Sequence, residues 1–339
     1  MKAKVKSKLK LEDRVLLQDV IPLKAPFLIY VDPSSLCNFK CKFCPTGHKD
    51  LIKESTYKRN TLDFELFKKF ILGLGEFETP LKVLRMNKIG EPLLNKNLIQ
   101  MIKFAKNSGF VEYIDLATNG SLFSKELMQE LVSSGLDRLN ISVEGINKQH
   151  YLENALVHFD FEHFVDNIKW LYANKNECEI TIKIPSNYLN DEQKKEFLDT
   201  FGNHCDSIFI EELAPIWPQF DLEQRAEVKI QSDKGQYQQV LTNKDICSFI
   251  FYSLAVNSDG TVSACCPDWD QKLIVGDLHN ESIYEIWNSE KLKALQFQHL
   301  NGHRCENEVC SNCGHLMYAQ VDNLDPYREQ ILNNLKKVK

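Results

Sequence analysis

The sequence predicts an α/β fold in which parallel strands alternate with helices, and two observations support this prediction. Short apolar runs typical of buried strands recur between residues 27 and 213, and a helical pattern separates each run from the next. Alternation at this spacing predicts right-handed βαβ units and a parallel sheet. Six such units are compatible with an incomplete α/β barrel and with a doubly wound sheet, and the spacing alone does not choose between them.

The predicted strands share runs of branched or aromatic side chains, and the predicted helices share an apolar face that repeats every three or four residues. The strands are Phe27–Asp32, Lys82–Asn87, Tyr113–Ala117, Arg138–Val143, Glu179–Ile184 and Ser207–Glu211. The helices lie near residues 62–73, 95–107, 124–134, 161–173 and 191–201. Ser124, directly before Lys125 and Glu126, is a typical helix start signal because its side chain accepts a hydrogen bond from the first turn.

The pattern changes after the sixth strand. The next segment breaks the strand–helix rhythm, and from Cys247 we expect a hairpin formed by Ser253–Asn257 and Thr261–Ala264, then a helix near 283–295 and a cysteine-bearing loop. The predicted organisation is an N-terminal extension (1–25), a strand–helix core (26–213), a connector (214–244), a cysteine-rich domain (245–320) and a C-terminal helix (321–339).

Composition excludes several classes of protein and points to redox or metal chemistry. The net charge of −6 provides no general attraction to nucleic acid or to an anionic membrane, and the longest apolar stretches are far shorter than the ~20 residues that span a bilayer. The N-terminus lacks the apolar region of a signal peptide, and we expect its five lysines (2, 4, 6, 8 and 10) to be solvated. A cytoplasmic location follows as an expectation. Because disulfides are rare in that compartment, eleven cysteines indicate metal or redox chemistry.

The first cysteine group follows the first predicted strand. Cys37, Cys41 and Cys44 form a C-x3-C-x2-C spacing in LCNFKCKFCP. Three thiolates do not complete a structural zinc site, which needs four protein ligands, unless a distant fourth ligand joins them. An iron–sulfur cubane has four irons, so three cysteines leave one iron open to an exogenous ligand.

This spacing resembles the signature of the radical S-adenosylmethionine (SAM) family. The resemblance covers roughly residues 26–213 and implies a partial (β/α)6 TIM-type barrel holding a [4Fe-4S] cluster. In that family the open iron chelates SAM, whose reductive cleavage yields a 5′-deoxyadenosyl radical that abstracts a substrate hydrogen. A flavodoxin or ferredoxin-type reductant is the implied partner, and no nucleic acid or membrane is expected.

Further residues carry the resemblance at the ends of the predicted strands, where parallel α/β folds gather their ligands. Gly90 and Glu91 are similar to the family's Gly-Gly-Glu motif with Ile89 in the first position; Glu91 is implied either to accept the SAM ammonium or to shape the loop. The other implied SAM-binding positions are Phe43, Thr118, Asn119, Ser142 and the neighbouring Glu144. Lys183 ends the fifth strand and Glu211 or Glu212 ends the sixth; Lys183 and Glu211 are candidate catalytic groups.

A second cysteine group lies in the C-terminal region. The thiols of Cys247, Cys265, Cys310 and Cys313 are able to close around zinc or a cubane cluster. The surrounding sequence resembles the shorter SPASM/twitch extension of radical SAM enzymes, which implies that these four cysteines hold one auxiliary [4Fe-4S] cluster. Cys266 is then outside the implied ligand set, and three roles are open for it. It replaces Cys265 as a ligand, packs as a small hydrophobic residue, or faces the pocket as a catalytic hydrogen donor. Cys305 is an alternative ligand, and Cys178 and Cys205 are expected in the core.

Four functions are consistent with these motifs. The first is a radical SAM oxidoreductase that oxidises an alcohol of a polar small molecule, such as a sugar, aminocyclitol or nucleotide-sugar, with the auxiliary cluster as electron acceptor and Lys183 or Glu211 as base. The second is an epimerase in which Cys266 returns a hydrogen atom. The third is a peptide- or protein-modifying enzyme. The fourth is a zinc or iron–sulfur scaffold without catalysis.

Overall fold

The computed structural model describes residues 1–7, 14–57, 59–230 and 233–337. In these ranges one sheet of ten strands runs in the order β1-β7-β6-β5-β4-β3-β2-β8-β9-β10. The strands are β1 Lys4–Val5, β2 Leu28–Val31, β3 Leu81–Arg85, β4 Val111–Thr118, β5 Arg138–Ser142, β6 Glu179–Pro185, β7 Ser207–Glu211, β8 Ser253–Val256, β9 Thr261–Ser263 and β10 Ile274–Asp277.

Helices cover the outer face of the sheet and build much of the C-terminal region. They are α1 Leu17–Val20, α2 Lys49–Glu54, α3 Phe64–Gly73, α4 Leu98–Asn107, α5 Lys125–Ser133, α6 Lys148–Asn154, α7 Phe161–Asn174, α8 Asp191–Phe201, α9 Leu222–Ala226, α10 Ile283–Trp287, α11 Glu290–Leu300, α12 Glu308–Ser311, α13 His315–Tyr318 and α14 Arg328–Lys337. In the described part of the chain, none of these helices is long and apolar enough to cross a membrane.

Strands β2 to β7 lie side by side in chain order and pair in parallel, which confirms the predicted partial (β/α)6 barrel. Successive side chains along each strand point to opposite faces of the sheet. Along β3, Leu84 is fully buried, whereas Val83 and Arg85 line an interior cavity. The sheet does not close, because β7 pairs with β1 at one edge and β2 pairs with β8 at the other.

The cysteine-rich region extends the barrel sheet. Strand β8 pairs in parallel with β2, with Leu28 opposite Ser253 and Val31 opposite Val256. The predicted hairpin is present as the antiparallel pair β8–β9, and β10 adds a further antiparallel strand. All four residues of β8 are buried, so this strand is part of the protein's main core.

One expectation about local structure is wrong. The single helix predicted near 283–295 is two helices, α10 and α11, because Ser289 lies between them and its side chain accepts a hydrogen bond from Leu292 N–H as the cap of α11. In the lysine-rich N-terminus, Lys2, Lys4 and Lys6 are exposed as expected, but the segment is also ordered: Lys4–Val5 forms β1 and pairs with β7. This short strand covers backbone groups that the edge of β7 otherwise exposes. Lys8 and Lys10 lie outside the described residues.

A charged layer crosses the barrel interior below the carboxyl ends of the strands. Asp115 on β4 is fully buried and accepts hydrogen bonds from Arg85 at 2.8 and 2.9 Å and from Arg138 at 2.6 Å. Burial by itself raises the pKa of Asp115, but the two guanidinium groups outweigh it and hold the pKa at about 2. Arg85 also donates to Tyr30 Oη at 3.0 Å, so the layer joins β2, β3, β4 and β5.

We expect Asp115→Ala to lower the free energy of unfolding by about 3–5 kcal/mol, because it leaves two buried guanidinium groups without their carboxylate. Chemical denaturation at neutral pH measures the change. The matched control is Asp166→Ala, which removes an exposed pair with Lys169 and is expected to change stability by less than about 1 kcal/mol. Since the folded pKa of Asp115 is depressed, its contribution persists at neutral pH and is lost as the pH falls from about 4 toward 2. If Asp115→Ala and Asp166→Ala lower the free energy of unfolding equally, the stabilising role of the buried Asp115 network is contradicted.

Candidate active site

A cavity of about 250 Å³ lies at the carboxyl ends of the barrel strands. The loop after β2 supplies thiols to it, and the carboxyl ends of β3, β4 and β5 with their following loops, together with β6, supply polar groups. The sequence-predicted residues that line it are Cys37, Cys41, Phe43, Cys44, Gly90, Glu91, Thr118, Asn119, Ser142, Glu144, Lys183 and Cys266. Glu211 does not line this cavity; it reaches the site only through an ion pair with Lys183.

The loop that carries the first three cysteines is anchored to α6. Lys40 N–H donates to Ala155 O at 3.0 Å, Lys42 N–H donates to Asn154 O at 2.9 Å, and the ring of Phe39 packs edge-on against Tyr151. Burial raises the pKa of the Cys41 and Cys44 thiols above their ordinary value. The binding of a metal cluster would deprotonate these thiols, because only the thiolate is a metal ligand.

Glu91 joins the loops that follow β3 and β4. Its carboxylate is buried and accepts hydrogen bonds from Thr118 Oγ1 at 2.6 Å, from Asn119 N–H at 2.8 Å and from Leu93 N–H at 3.1 Å. Burial raises the pKa of Glu91, and these three donors partly oppose the rise. Of the two implied roles, the contacts favour the shaping of the loop.

Gly90 allows this loop to approach the cysteine loop. A Cβ atom at this position meets Ser34 O at 1.8 Å and Leu36 O at 2.7 Å. Glu91 N–H donates to Leu36 O at 2.7 Å, so the two backbones are in direct contact. Any side chain at residue 90 therefore pushes the Gly90–Glu91 turn away from the first cysteine group.

Glu144 is a buried carboxylate on the wall of the cavity. Its Oε2 atom has no hydrogen-bond partner among the described residues. Burial raises the pKa of Glu144 to about 7, an effect that Lys183 opposes and Glu211 reinforces. Burial by itself lowers the pKa of Lys183, but Glu211 and Glu144 outweigh it and raise the pKa above its usual value. Lys183 is therefore a cation at neutral pH, and Glu144 is the group that changes its protonation state there.

Several cavity residues carried no sequence signal. Gln236 and Tyr237 belong to the predicted connector, and Tyr30 lies within β2. None of the three belongs to a recognisable motif, and the positions of Gln236 and Tyr237 depend on how the connector folds back over the barrel. His315 lies two residues after Cys313, and that proximity to a predicted ligand was the one available indication.

The second cysteine group surrounds another pocket. Cys247, Cys265, Cys310 and Cys313 all line an enclosed and almost entirely apolar space. Burial raises the pKa of Cys265 well above its ordinary value, and the neighbouring Cys313, Cys310 and Cys247 raise it further. Four thiols around one largely apolar pocket fit an auxiliary cluster with four cysteine ligands.

The remaining cysteines are separated from this pocket. Cys305 is exposed and does not line it, and Cys178 and Cys205 are buried in the core. Cys266 lines the active-site cavity, whereas its neighbour Cys265 lines the cluster pocket. Adjacent residues of one segment thus face the two different sites.

Comparison with known proteins decides the family. A sequence profile of the radical SAM superfamily matches residues 31–201, just over half of the chain. The chain belongs to the radical SAM superfamily. In this radical SAM enzyme, residues 247–314 match the SPASM profile, an iron–sulfur cluster-binding domain. The enzyme accordingly uses SAM, a SAM-binding [4Fe-4S] cluster and an auxiliary [4Fe-4S] cluster.

Two curated relatives illustrate how far the similarity extends. The enzyme is 28% identical over 231 residues to a GTP 3′,8-cyclase of Clostridium perfringens, covering 66% of this chain and 62% of the cyclase. It is 21% identical over 310 residues to an S-adenosyl-L-methionine-dependent 2-deoxy-scyllo-inosamine dehydrogenase of Niallia circulans, covering 88% of this chain and 96% of the dehydrogenase. The chain thus spans less than two thirds of the length of the cyclase.

Solved structures share the fold. BtrN in complex with AdoMet and 2-DOIA superposes with a TM-score of 0.55 at 18% identity, covering 87% of this chain and 96% of that chain. SuiB of Streptococcus suis bound to S-adenosylmethionine superposes with a TM-score of 0.63 at 14% identity, covering 89% of this chain and 74% of that chain. At these identities the likeness concerns the fold alone.

Glu144→Gln is expected to stabilise the SAM-free protein at pH 8. The folded pKa of this carboxyl is raised, so ionising it costs stability as the pH rises from about 4.5 through 7. Each pKa unit corresponds to about 1.4 kcal/mol, so the rise from 4.5 to about 7 gives the variant about 3 kcal/mol at pH 8 and almost nothing below pH 4.5. Denaturation at both pH values measures the difference. Glu130→Gln, on the exposed face of α5, is the control and should change neither value; a gain that is the same at both pH values contradicts the prediction.

Proposed function

We propose that this radical SAM enzyme oxidises an alcohol of a polar small molecule, such as a sugar, aminocyclitol or nucleotide-sugar, to a ketone. One observation carries the proposal: the active-site cavity and the four-cysteine pocket share a wall. Pro267 and His315 line both spaces, and the adjacent Cys265 and Cys266 face opposite sides of that wall. An electron that leaves a substrate in the cavity has an acceptor site directly behind this wall.

Oxidation of an alcohol to a ketone removes one hydrogen atom, one proton and one electron from the substrate. When bound, SAM and its cluster supply the radical that takes the hydrogen atom, and the auxiliary cluster supplies an acceptor for the electron. The task left to the protein is to bind the hydroxyl group and to receive its proton.

Two charged side chains on the cavity wall match this task. The Lys183 ammonium group, held by Glu211, donates a hydrogen bond to the substrate oxygen and favours its deprotonation. Lys183 is already protonated and cannot accept the proton itself. Glu144, with a pKa of about 7, is the neighbouring group suited to accept it at neutral pH. Of the two bases expected from the sequence, Lys183 is thus a donor, and Glu211 acts through Lys183.

The similarity to the dehydrogenase from Niallia circulans supports the choice of substrate class. That relative acts on 2-deoxy-scyllo-inosamine, and the alignment spans nearly its whole length. The wall of the cavity carries polar side chains, among them Asn87, Gln236 and Tyr237, which suit a substrate with several hydroxyl or amino groups.

The test is anaerobic incubation of the reconstituted enzyme with SAM, a flavodoxin and its reductase, and a panel of aminocyclitols and sugars. We expect 5′-deoxyadenosine and a ketone in a 1:1 ratio, and about eight irons per chain. A substrate deuterated at the carbinol carbon should transfer deuterium to 5′-deoxyadenosine. Formation of 5′-deoxyadenosine with no ketone from any member of the panel refutes the proposed oxidation, and its complete absence refutes SAM cleavage.

Epimerisation is the second candidate, and it rests on the position of Cys266 on the cavity wall. The thiol of this residue is placed to return a hydrogen atom to a substrate radical. Under the proposed oxidation, Cys266→Ala retains ketone formation within a few-fold, and the product formed in deuterated solvent carries no deuterium at the reacting carbon. Cys305→Ala, an exposed cysteine outside both pockets, is the control. Solvent deuterium in the wild-type product that disappears in Cys266→Ala establishes the epimerase instead.

A further inference from the structure

We infer that Gln320 sets the reduction potential of the auxiliary cluster through an N–H···S hydrogen bond to Cys247. The Nε2 atom of Gln320 lies 2.9 Å from Cys247 Sγ. The inference rests on Cys247 being a ligand of that cluster, as proposed above, and it does not depend on which substrate the enzyme oxidises. Gln320 lies beyond residues 247–314, which match the cluster-binding domain, so no family motif marks it.

The orientation of the Gln320 amide is determined by its neighbours. Ser248 N–H donates to Oε1 at 3.0 Å, and Ser248 Oγ donates to the same oxygen at 2.8 Å. A backbone N–H acts only as a donor, so the atom it contacts must be the amide oxygen. The NH₂ group therefore points to the other side, where it meets Cys247 Sγ and His315 Nδ1.

The side chain is held rigidly in this position. Gln320 is 3% exposed, and its backbone oxygen accepts a hydrogen bond from the buried Lys244 ammonium group. Ser248, which orients the amide, is itself fully buried next to Cys247 in the chain. The donor thus has almost no alternative partner in solvent, and its contact with the sulfur is a fixed feature of the pocket.

The second proton of the amide extends the contact to the active site. Gln320 Nε2 donates to His315 Nδ1 at 3.1 Å, and the His315 ring packs edge-on against Phe249 with centroids 4.8 Å apart. His315 lines both the cluster pocket and the active-site cavity. A continuous set of hydrogen bonds therefore runs from a cluster ligand through Gln320 to the shared wall.

The physical effect of the donor follows from charge. Reducing the cluster adds one negative charge, part of which resides on the cysteine sulfurs. An N–H group directed at such a sulfur stabilises the reduced form more than the oxidised form and raises the potential. Without Gln320 the auxiliary cluster is a weaker electron acceptor.

The experiment is a redox titration of the auxiliary cluster, monitored by electron paramagnetic resonance in the absence of SAM and substrate. The full-length chain carries Cys37→Ala, Cys41→Ala and Cys44→Ala so that only the auxiliary cluster, with about four irons, contributes. In this background Gln320→Leu is expected to raise the oxidised-to-reduced ratio about tenfold at a given ambient potential. For a one-electron couple this is a downward shift of about 59 mV.

Gln296→Leu is the matched control. Gln296 is also buried in the same region, but its amide donates to the backbone oxygen of Ile250 instead of to a cysteine. Its potential should equal that of the parent chain. No shift in Gln320→Leu, or an equal shift in both variants, overturns the inference.

Gln320→Glu is a second test variant, which keeps the inference testable if the leucine variant loses its cluster. It keeps the oxygen that Ser248 requires and replaces the donor to sulfur with a second oxygen, so the potential should again fall. Loss of iron from both Gln320 variants overturns the tuning role, because Gln320 is then needed for cluster assembly. Since no substrate is present, failure of the proposed alcohol oxidation leaves this measurement unaffected.

Discussion

The parallel pairing of β8 with β2 is the constraint on which the site depends. The loop after β2 carries Cys37, Cys41 and Cys44. Because β8 pairs with β2 and β9 pairs with β8, the segment after β9, which carries Cys265 and Cys266, belongs to the same sheet as the strand that precedes this loop. Two distant parts of the chain thereby enclose neighbouring pockets that share Pro267 and His315.

Buried carboxylates have different partners in the barrel interior and at the active-site cavity. In the interior layer Asp115 is matched by Arg85 and Arg138, and the network joins neighbouring strands. At the cavity, one oxygen of Glu144 has no hydrogen-bond partner within the described ranges, and burial raises the pKa of this carboxyl to about 7. An unpartnered buried carboxylate costs folding free energy, and that cost is typical of groups that must exchange protons or bind a ligand.

Sequence reasoning succeeded where a feature depends on local spacing and failed where it depends on distant contacts. The six barrel strands and the cysteine spacing are local patterns, and they recur in the structure within a few residues. Glu211 ends its strand as expected, yet it reaches the cavity only through Lys183, because its carboxylate is engaged by that ammonium group. β1 forms because the edge of β7 is open to pairing, and no pattern within residues 1–7 predicts this pairing.

The sequence by itself determined the family, the cofactors and the two groups of cysteines. These depend on short spacings that a cluster imposes on its ligands, whatever the remainder of the chain does. Only the tertiary structure decided that Cys265 and Cys266 face different pockets, that Glu144 is a buried carboxylate on the cavity wall, and that Gln320 reaches the sulfur of Cys247. Each of these is a contact between residues remote in sequence or a matter of side-chain direction, and both are set by packing rather than by local pattern.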